Sequence, residues 1–219
     1  MTKQQSNYIK IIAMTAMLID HIGVIIFPQY TIFRIIGRIA FPLFAYQIGI
    51  GFSNTRSAKR YLLRLFLFGA AVQLFYGIAA PFIDENPLNL NIFFTLSLGV
   101  AAILCYEKKR YALLLCIIVF PMAAALVNVT FDYGSYGVLL ILGMYATRDS
   151  FRKMALYTVL LTVAVCFVWD YFTQLYCVAA LLFIAKPLAL KARIHSSVFY
   201  IFYPLHLAVL YLINALGYF

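Results

Sequence analysis

Residues 17–26 read MLIDHIGVII and place an aspartate and a histidine side by side inside an apolar run. They belong to a mostly apolar stretch at 8–28, which has the length of about 20 residues that crosses a bilayer as a helix. An ionisable pair at that depth is costly in lipid, so Asp20 and His21 are expected to face a bundle interior and to have partners there. The stretch predicts a first membrane-spanning helix that carries a buried polar site.

The composition extends this interpretation to the whole chain. Of 219 residues, 65% are hydrophobic and 11% are charged, and the mean hydropathy is +0.95. A soluble domain of this size could not cover so much apolar surface with so few charges. The predicted fold class is therefore all-α, a polytopic integral membrane helical bundle formed as a single domain over residues 1–219, with the lipid bilayer as its solvent.

The apolar runs predict nine transmembrane helices, of which the fourth, sixth and eighth are short. They are placed at 8–28, 31–53, 60–81, 91–106, 110–128, 134–147, 152–169, 171–185 and 197–216.

The basic residues lie in clusters between these runs, which accounts for the net charge of +10 without a nucleic-acid partner. Fifteen of the 17 Lys and Arg residues fall at alternate helix ends, and the opposite loops carry Asp84, Glu85, Asp132 and Asp170 with no Lys or Arg. The positive-inside rule then predicts a cytoplasmic N-terminus and an outside C-terminus. The clusters are Lys3 and Lys10; Arg56, Lys59, Arg60 and Arg64; Lys108, Lys109 and Arg110; Arg148, Arg152 and Lys153; Lys186, Lys191 and Arg193.

The two remaining basic residues are Arg34 and Arg38, in FRIIGRIAFPLF at 33–44. They are four residues apart, so they share one helical face. His21 precedes Pro28 by the same seven residues that separate Arg38 from the start of the second span, which puts both about 10 Å below the outer surface. We therefore expect a polar cluster of Asp20, His21, Arg34 and Arg38, in which Asp20 pairs with an arginine and His21 faces a cavity. The alternative is an Asp–Arg pair that only pins two helices.

Other polar residues are predicted on the same outer side, as candidates for binding a substrate: Asn91 and Thr95 in NLNIFFTL, and Asp132 and Tyr133 in FDYGSYG. His206, in FYIFYPLHL at 199–207, follows Pro204, which removes a backbone hydrogen bond and favours a cavity-lining kink. A lone histidine in a helix is as often a packing residue, and both interpretations stay open. The four cysteines show no CxxC or Cys–His spacing, so no metal is expected.

With these motifs in view, the chain resembles the TraX family, named for the F-pilin acetylation protein. The matching stretches are KIIAMTAMLIDHIG (10–23), RIIGRIAFPLFAY (34–46), RYLLRL (60–65), NIFFTLSLG (91–99), DYGSYGVLLI (132–141) and FYIFYPLHL (199–207). The family's Asp–His falls on Asp20 and His21, its arginine pair on Arg34 and Arg38, and its late histidine on His206. The family is similar to transmembrane acyltransferases that move an acyl group from cytoplasmic acyl-CoA to an acceptor on the far side.

The resemblance implies a multi-pass acetyltransferase of the bacterial inner (cytoplasmic) membrane. It would take acetyl-CoA as acyl donor and an amine or hydroxyl on a protein N-terminus or cell-surface glycan as acceptor. Among its catalytic candidates His21 is the expected base, Asp20 pairs with an arginine, Arg38 stabilises an oxyanion or binds a CoA phosphate, and His206 orients the thioester or relays a proton. The cofactor-binding candidates are Arg34, Arg38, Arg60 and Arg64.

Two alternatives from other classes use the same residues. A proton-coupled transporter or anion channel could employ the buried Asp–His–Arg cluster as a relay. A structural scaffold would tolerate loss of His21.

Overall fold

The computed structural model describes residues 1–83, 88–189 and 196–217. Most of these residues are helical, and turns and two very short strands connect the helices. The helical segments lie in the nine predicted places. They are α1 (Lys3–Ile25), α2 (Thr31–Gly37), α3 (Ala40–Asn54), α4 (Ala58–Ile83), α5 (Ile92–Glu107), α6 (Tyr111–Ala125), α7 (Gly134–Ala146), α8 (Phe151–Trp169), a 3-10 helix (Phe172–Ala179), α9 (Ala180–Ala185) and α10 (Ser196–Ala215); the strands are β1 (Asn89–Leu90) and β2 (Thr130–Phe131). Asp84, Glu85, Lys191 and Arg193 lie outside the described residues.

Four helical segments of the described chain are long and apolar enough to cross a bilayer: Lys3–Ile25, Thr31–Asn54, Phe151–Trp169 and Ser197–Ala215. Four shorter apolar helices accompany them: Ile92–Glu107, Tyr111–Ala125, Gly134–Ala146 and Phe172–Ala185. The all-α membrane class is therefore confirmed. The number of crossings and the side that each end faces stay predictions.

The chain forms two compact units. The first contains Met1–Gln47 and Phe151–Phe219, and the second contains Ile48–Ser150. A single domain over residues 1–219 stays a prediction.

In the first unit α1 packs against both α2 and α10. It begins five residues before the predicted span, because Thr2 and Gln5 form a capping box that satisfies the first free N–H groups. The turn to α2 is tight, since a Cβ added at Gly23 would overlap Phe33 and one added at Gly37 would overlap the Asp20 carboxylate. Glycine at these two positions lets the two backbones approach each other closely.

Helices α1 and α10 run parallel. Lys10 of α1 lies over the ring of Phe199, and further along both helices His21 contacts His206. Gln5 donates to the carbonyl of Pro187, so the start of α1 and the chain leading to α10 share one end of the unit. The nine predicted spans also give the first and the last span the same direction across the membrane, in agreement with this parallel packing.

The predicted second span is interrupted, which corrects its description as one continuous helix. The α-helix ends at Gly37 and resumes at Ala40, with Arg38 and Ile39 between them. Pro42 explains the break, because a proline has no N–H to donate to the carbonyl four residues earlier and its ring collides with that carbonyl. At the third residue of α3 the same proline lies in a first turn, where it is tolerated.

The second unit has two chemically different ends. At one end Tyr145 donates to Glu107 (2.8 Å), packs edge-on against Phe52 and has the Arg148 guanidinium 4.1 Å above its ring, so the ends of α3, α5 and α7 meet there. The loops at this basic end carry most of the unit's cations. At the opposite end β1 and β2 pair in parallel, and residues 88–91 and 126–134 contain no Lys or Arg. The basic loops of the second unit, which were predicted to be cytoplasmic, therefore lie at the same end of that unit.

Candidate functional site

Asp20 of α1 is held between two arginines. Arg34 Nη1 donates to its Oδ2 at 2.7 Å, and Arg38 Nη2 lies 3.0 Å from Oδ1 and 3.1 Å from Oδ2. The Asp20 and Arg38 side chains are 13% and 7% exposed, whereas Arg34 is 31% exposed. We call this group the arginine–carboxylate cluster. One carboxylate meets two guanidinium groups, so the cluster carries one surplus positive charge in apolar surroundings.

The 3-10 helix completes the surroundings of Arg38. Gln174, which is almost fully buried, accepts a hydrogen bond from Arg38 Nη1 at 3.3 Å, and the Tyr171 ring lies 6.0 Å from the guanidinium carbon. The break after Gly37 places Arg38 at the junction of α2 and α3, where its backbone N–H still bonds to the carbonyl of Arg34. Buried guanidinium groups need several acceptors, and this arrangement provides them from two elements.

His21 points away from this cluster. Its Nδ1 lies 2.8 Å from Nε2 of His206 in α10, and the two rings are stacked with centroids 5.0 Å apart. His206 Nδ1 in turn lies 2.6 Å from the carbonyl oxygen of Phe202, one turn earlier in α10. The rings of Phe202 and Tyr203 pack on His206 with centroid distances of 4.8 Å and 5.9 Å. We call His21 and His206 the histidine pair.

The hydrogen-bond network assigns the protons of the histidine pair. A carbonyl oxygen can only accept, so His206 Nδ1 carries the proton directed at Phe202. A charged imidazole is costly in an apolar helix, and in the neutral ring the other nitrogen, Nε2, accepts. His21 Nδ1 is then the donor to His206, and His21 Nε2 retains a lone pair. Throughout the described residues this nitrogen has no hydrogen-bond partner.

The sequence prediction for this region is confirmed in part. Asp20 pairs with an arginine, as expected, and in fact with both Arg34 and Arg38. His21 does not bond to that group, because consecutive residues of a helix point about 100° apart and α1 lies between α2 and α10. Its partner is His206, which makes the late histidine part of the same site.

The four predicted substrate-binding residues come together at the strand end of the second unit. Asn91 caps α5 by accepting from Phe93 N–H, and its amide donates to the Gly69 carbonyl and to Gln73. Thr95 donates to the Asp132 carbonyl at 2.5 Å. Tyr133 follows in the left-handed conformation, with φ of 59°. We call the group Gln73, Asn89, Asn91, Thr95, Thr130 and Asp132 the strand-end network; its role in substrate binding stays a prediction.

The predicted donor-binding residues Arg60 and Arg64 are exposed near the start of α4, at the basic end of the second unit. The guanidinium carbon of Arg64 lies 5.4 Å from the ring centroid of Tyr61. Neither residue belongs to the arginine–carboxylate cluster. Their binding of CoA phosphates stays a prediction.

Sequence reasoning missed Gln174 and Tyr171. The signal for Gln174 was present, because an amide inside the apolar run FTQLYCVAALLFIA is as unusual as a charge and needs a partner. Among the described residues, no group of three or more His, Cys, Asp or Glu side chains is arranged to hold a metal ion.

Comparison with known proteins gives a family match and two relatives. The family model described as "TraX protein" matches residues 5–214. The chain is 29% identical over 160 residues to the probable fimbrial assembly protein FimC, serogroup H1, of Dichelobacter nodosus, with 67% of this chain and 65% of that protein covered. It is 32% identical over 110 residues to the uncharacterized protein RP591 of Rickettsia prowazekii (strain Madrid E), with 49% and 41% covered. The chain thus matches less than two thirds of the length of either relative. No solved structure gives a significant match.

Proposed function

Because the chain belongs to the TraX family, we propose that it is a membrane-embedded acetyltransferase. It moves an acetyl group from cytoplasmic acetyl-CoA to an amine or hydroxyl acceptor at the outer side of the bacterial inner membrane. The family is named for F-pilin acetylation, and one relative is named as a probable fimbrial assembly protein. A protein N-terminus of the pilin type is therefore the first acceptor to test, and a cell-surface glycan is the second.

The observation that carries the proposal is the open Nε2 of His21 in the histidine pair. Acyl transfer needs a base positioned by a second group, and the bond from His21 Nδ1 to His206 fixes both the tautomer and the ring. His206 bonds to His21 and to the Phe202 carbonyl, so we assign it as a positioning residue. This geometry follows the logic of catalytic triads, in which the base is oriented by a third group.

In the direct reaction the acceptor nitrogen or oxygen attacks the thioester carbonyl carbon, and His21 Nε2 takes the acceptor's proton. A tetrahedral oxyanion forms, collapses with cleavage of the carbon–sulfur bond, and the departing sulfur receives the proton from His21. The alternative route attaches the acetyl group to His21 Nε2 first and passes it to the acceptor afterwards. Both routes end with free thiol and acetylated acceptor.

The arginine–carboxylate cluster supports the same proposal electrostatically. Asp20 balances only one of its two guanidinium groups, so one positive charge is available to stabilise a developing oxyanion in a medium of low dielectric. Arg34, with its partly exposed side chain, is the member that can reach a substrate. The predicted substrate-binding residues of the strand-end network and the predicted donor residues Arg60 and Arg64 are kept as proposals for later tests.

The experiment uses the full chain in lipid nanodiscs with radiolabelled acetyl-CoA and a panel of peptide amines and sugars. Thiol release and labelled acceptor are followed for the wild type, His21→Ala, His206→Gln and His206→Phe. Loss of a general base lowers turnover by about 10²- to 10⁴-fold, which is the effect expected for His21→Ala. His206→Gln retains an acceptor for His21 Nδ1 and is expected to keep more activity than His206→Phe.

Ser97→Ala is the matched control, because within the part of the chain that the structure describes its hydroxyl bonds only to the Phe93 carbonyl of the same helix. Label retained on His21 of a quenched sample establishes the covalent route. If folded wild-type protein neither binds nor turns over acetyl-CoA, the proposal fails. Proton or anion flux through liposomes without acyl-CoA would then favour the transporter or channel.

A further inference from the structure

Lys10 is a half-buried cation inside the first membrane-spanning helix. Its ammonium lies 5.0 Å from the ring centroid of Phe199, near the start of α10, so it contacts the neighbouring helix. Within the described residues no carboxylate pairs with it. A half-buried lysine without a counter-charge is costly, and the positive-inside rule would be satisfied equally well by a lysine in the exposed first turn of α1.

Lys10 lies on the same face of α1 as His21. Eleven residues separate them, and at about 100° per residue the second side chain returns to within about 20° of the first. Both side chains contact α10, at Phe199 and at His206, which confirms the shared face directly. At 1.5 Å per residue, about 16 Å of helix axis separates the cation from the proposed base.

The side chains between them on this face are Met14 and Met17, and both are half-buried. Methionine is flexible and polarisable, and is common where a surface has to adapt to a bound molecule. Lys10, Met14, Met17 and His21 together form a stripe along α10, which we call the lysine–histidine stripe. It begins with a cation and ends with the open nitrogen of His21.

We infer that Lys10 binds the diphosphate of the acyl-CoA donor while the pantetheine arm extends along the lysine–histidine stripe and places the thioester at His21. This inference rests on the proposed function. Thirteen covalent bonds separate the thioester sulfur from the nearest phosphorus of coenzyme A, and an extended chain of that many bonds reaches about 15 Å. That length matches the spacing of Lys10 and His21. Lysine is a common ligand of phosphate as a compact positive charge.

The test compares acetyl-CoA with S-acetylpantetheine, which carries the same thioester but no phosphate. The quantity measured is kcat/KM for acetyl-CoA divided by kcat/KM for S-acetylpantetheine, in nanodiscs, for the wild type, Lys10→Met and Lys10→Arg. Loss of a hydrogen bond to a charged group lowers affinity about 10- to 100-fold, so the ratio should fall by that factor in Lys10→Met. Lys10→Arg retains the charge and should keep most of the ratio.

Lys3→Met is the matched control, because it removes a lysine from the exposed first turn of the same helix and should leave the ratio unchanged. A second readout is the thermal stabilisation of each variant by CoA, which should be lost in Lys10→Met and kept in Lys3→Met. If the wild type uses both donors and Lys10→Met keeps the wild-type ratio and stabilisation, the assignment of Lys10 is overturned while the proposed function stands. If the wild type uses neither donor, the proposed function itself has failed.

Discussion

The two polar regions of this protein differ in the kind of side chain they contain and in what those side chains bond to. In the strand-end network of the second unit, Asn91 and Thr95 bond mainly to backbone groups and so cap or join helices, and Asn91 also donates to the Gln73 amide. In the first unit, Asp20, Arg34 and Arg38 bond to one another, and His21 bonds to His206. Bonds to the backbone fix structure, whereas bonds among ionisable side chains leave charge and an open lone pair for chemistry. The comparison separates polar residues that stabilise apolar helices from those that form a site.

The largest effect is expected on removing the one carboxylate of the arginine–carboxylate cluster, which tests whether the stability of the fold depends on it. Asp20→Ala leaves two guanidinium groups without their carboxylate, and breaking a buried ion pair in this way costs about 3–5 kcal/mol. We expect a lower Tm in detergent or nanodiscs. Asp20→Asn is the control and should lose less, because its amide oxygen still accepts hydrogen bonds. A wild-type Tm for Asp20→Ala would show that the arginines are satisfied elsewhere.

The next prediction tests whether the surplus positive charge of the cluster is functional. Gln174→Glu places a second carboxylate 3.3 Å from Arg38 and balances both arginines. The folded protein should remain stable, while turnover should fall about 10-fold or more because less charge is available to the oxyanion. The measurement is kcat together with Tm, and Gln174→Met controls for the lost amide. Unchanged turnover in Gln174→Glu would assign the cluster a purely structural role.

A smaller effect is expected in the strand-end network. Asn91→Ala removes the α5 cap and the amide bonds to Gly69 and Gln73, which should lower the free energy of unfolding by about 2 kcal/mol. Asn91→Asp keeps the capping acceptor but loses the donors, so its loss should be intermediate. The check is chemical or thermal unfolding in micelles. If the KM for the acceptor changes while the free energy of unfolding does not, Asn91 has a role in substrate binding and not in stability.

The smallest effect concerns Thr95. Thr95→Val deletes the hydroxyl that donates to the Asp132 carbonyl, and one such bond contributes about 1 kcal/mol. Thr95→Ser retains the donor and should unfold close to the wild type. Equal stability of the valine and serine variants would mean that this contact does not hold α5 to the segment after β2.

Most of the helices could be predicted from the sequence, because hydropathy and basic-loop spacing depend only on local runs. The pairing of Asp20 with Arg34 and Arg38 was also accessible, since the residues lie on neighbouring antiparallel segments joined by a short turn. The early start of α1 and the break after Gly37 were readable too, from the Thr2–Gln5 capping box and from Pro42, but hydropathy alone does not register either signal.

The partner of His21 could not be predicted from spacing. His206 is 185 residues away along the chain, and nothing local to α1 specifies that α10 packs against that face. The same reason hid the contact of Gln174 with Arg38, which joins positions 136 residues apart. Long-range packing decides which polar groups meet. Sequence reasoning therefore predicted that Asp20 and His21 face different directions, but it predicted neither the contact of His21 with His206 nor that of Gln174 with Arg38.

The pairing of β1 with β2 has a consequence for how the second unit is made. Its hydrogen bonds join segments whose paired residues are 41 positions apart, and both α5 and α6 lie between them. At about 5–20 residues per second, synthesis of the intervening chain takes about 2–8 s. β1 therefore has no partner strand until α5 and α6 have been synthesised and β2 has followed them. The pairing is therefore a late step in the assembly of this unit. Substitutions in Asn89, Leu90, Thr130 or Phe131 should delay assembly more than they lower the stability of the finished protein.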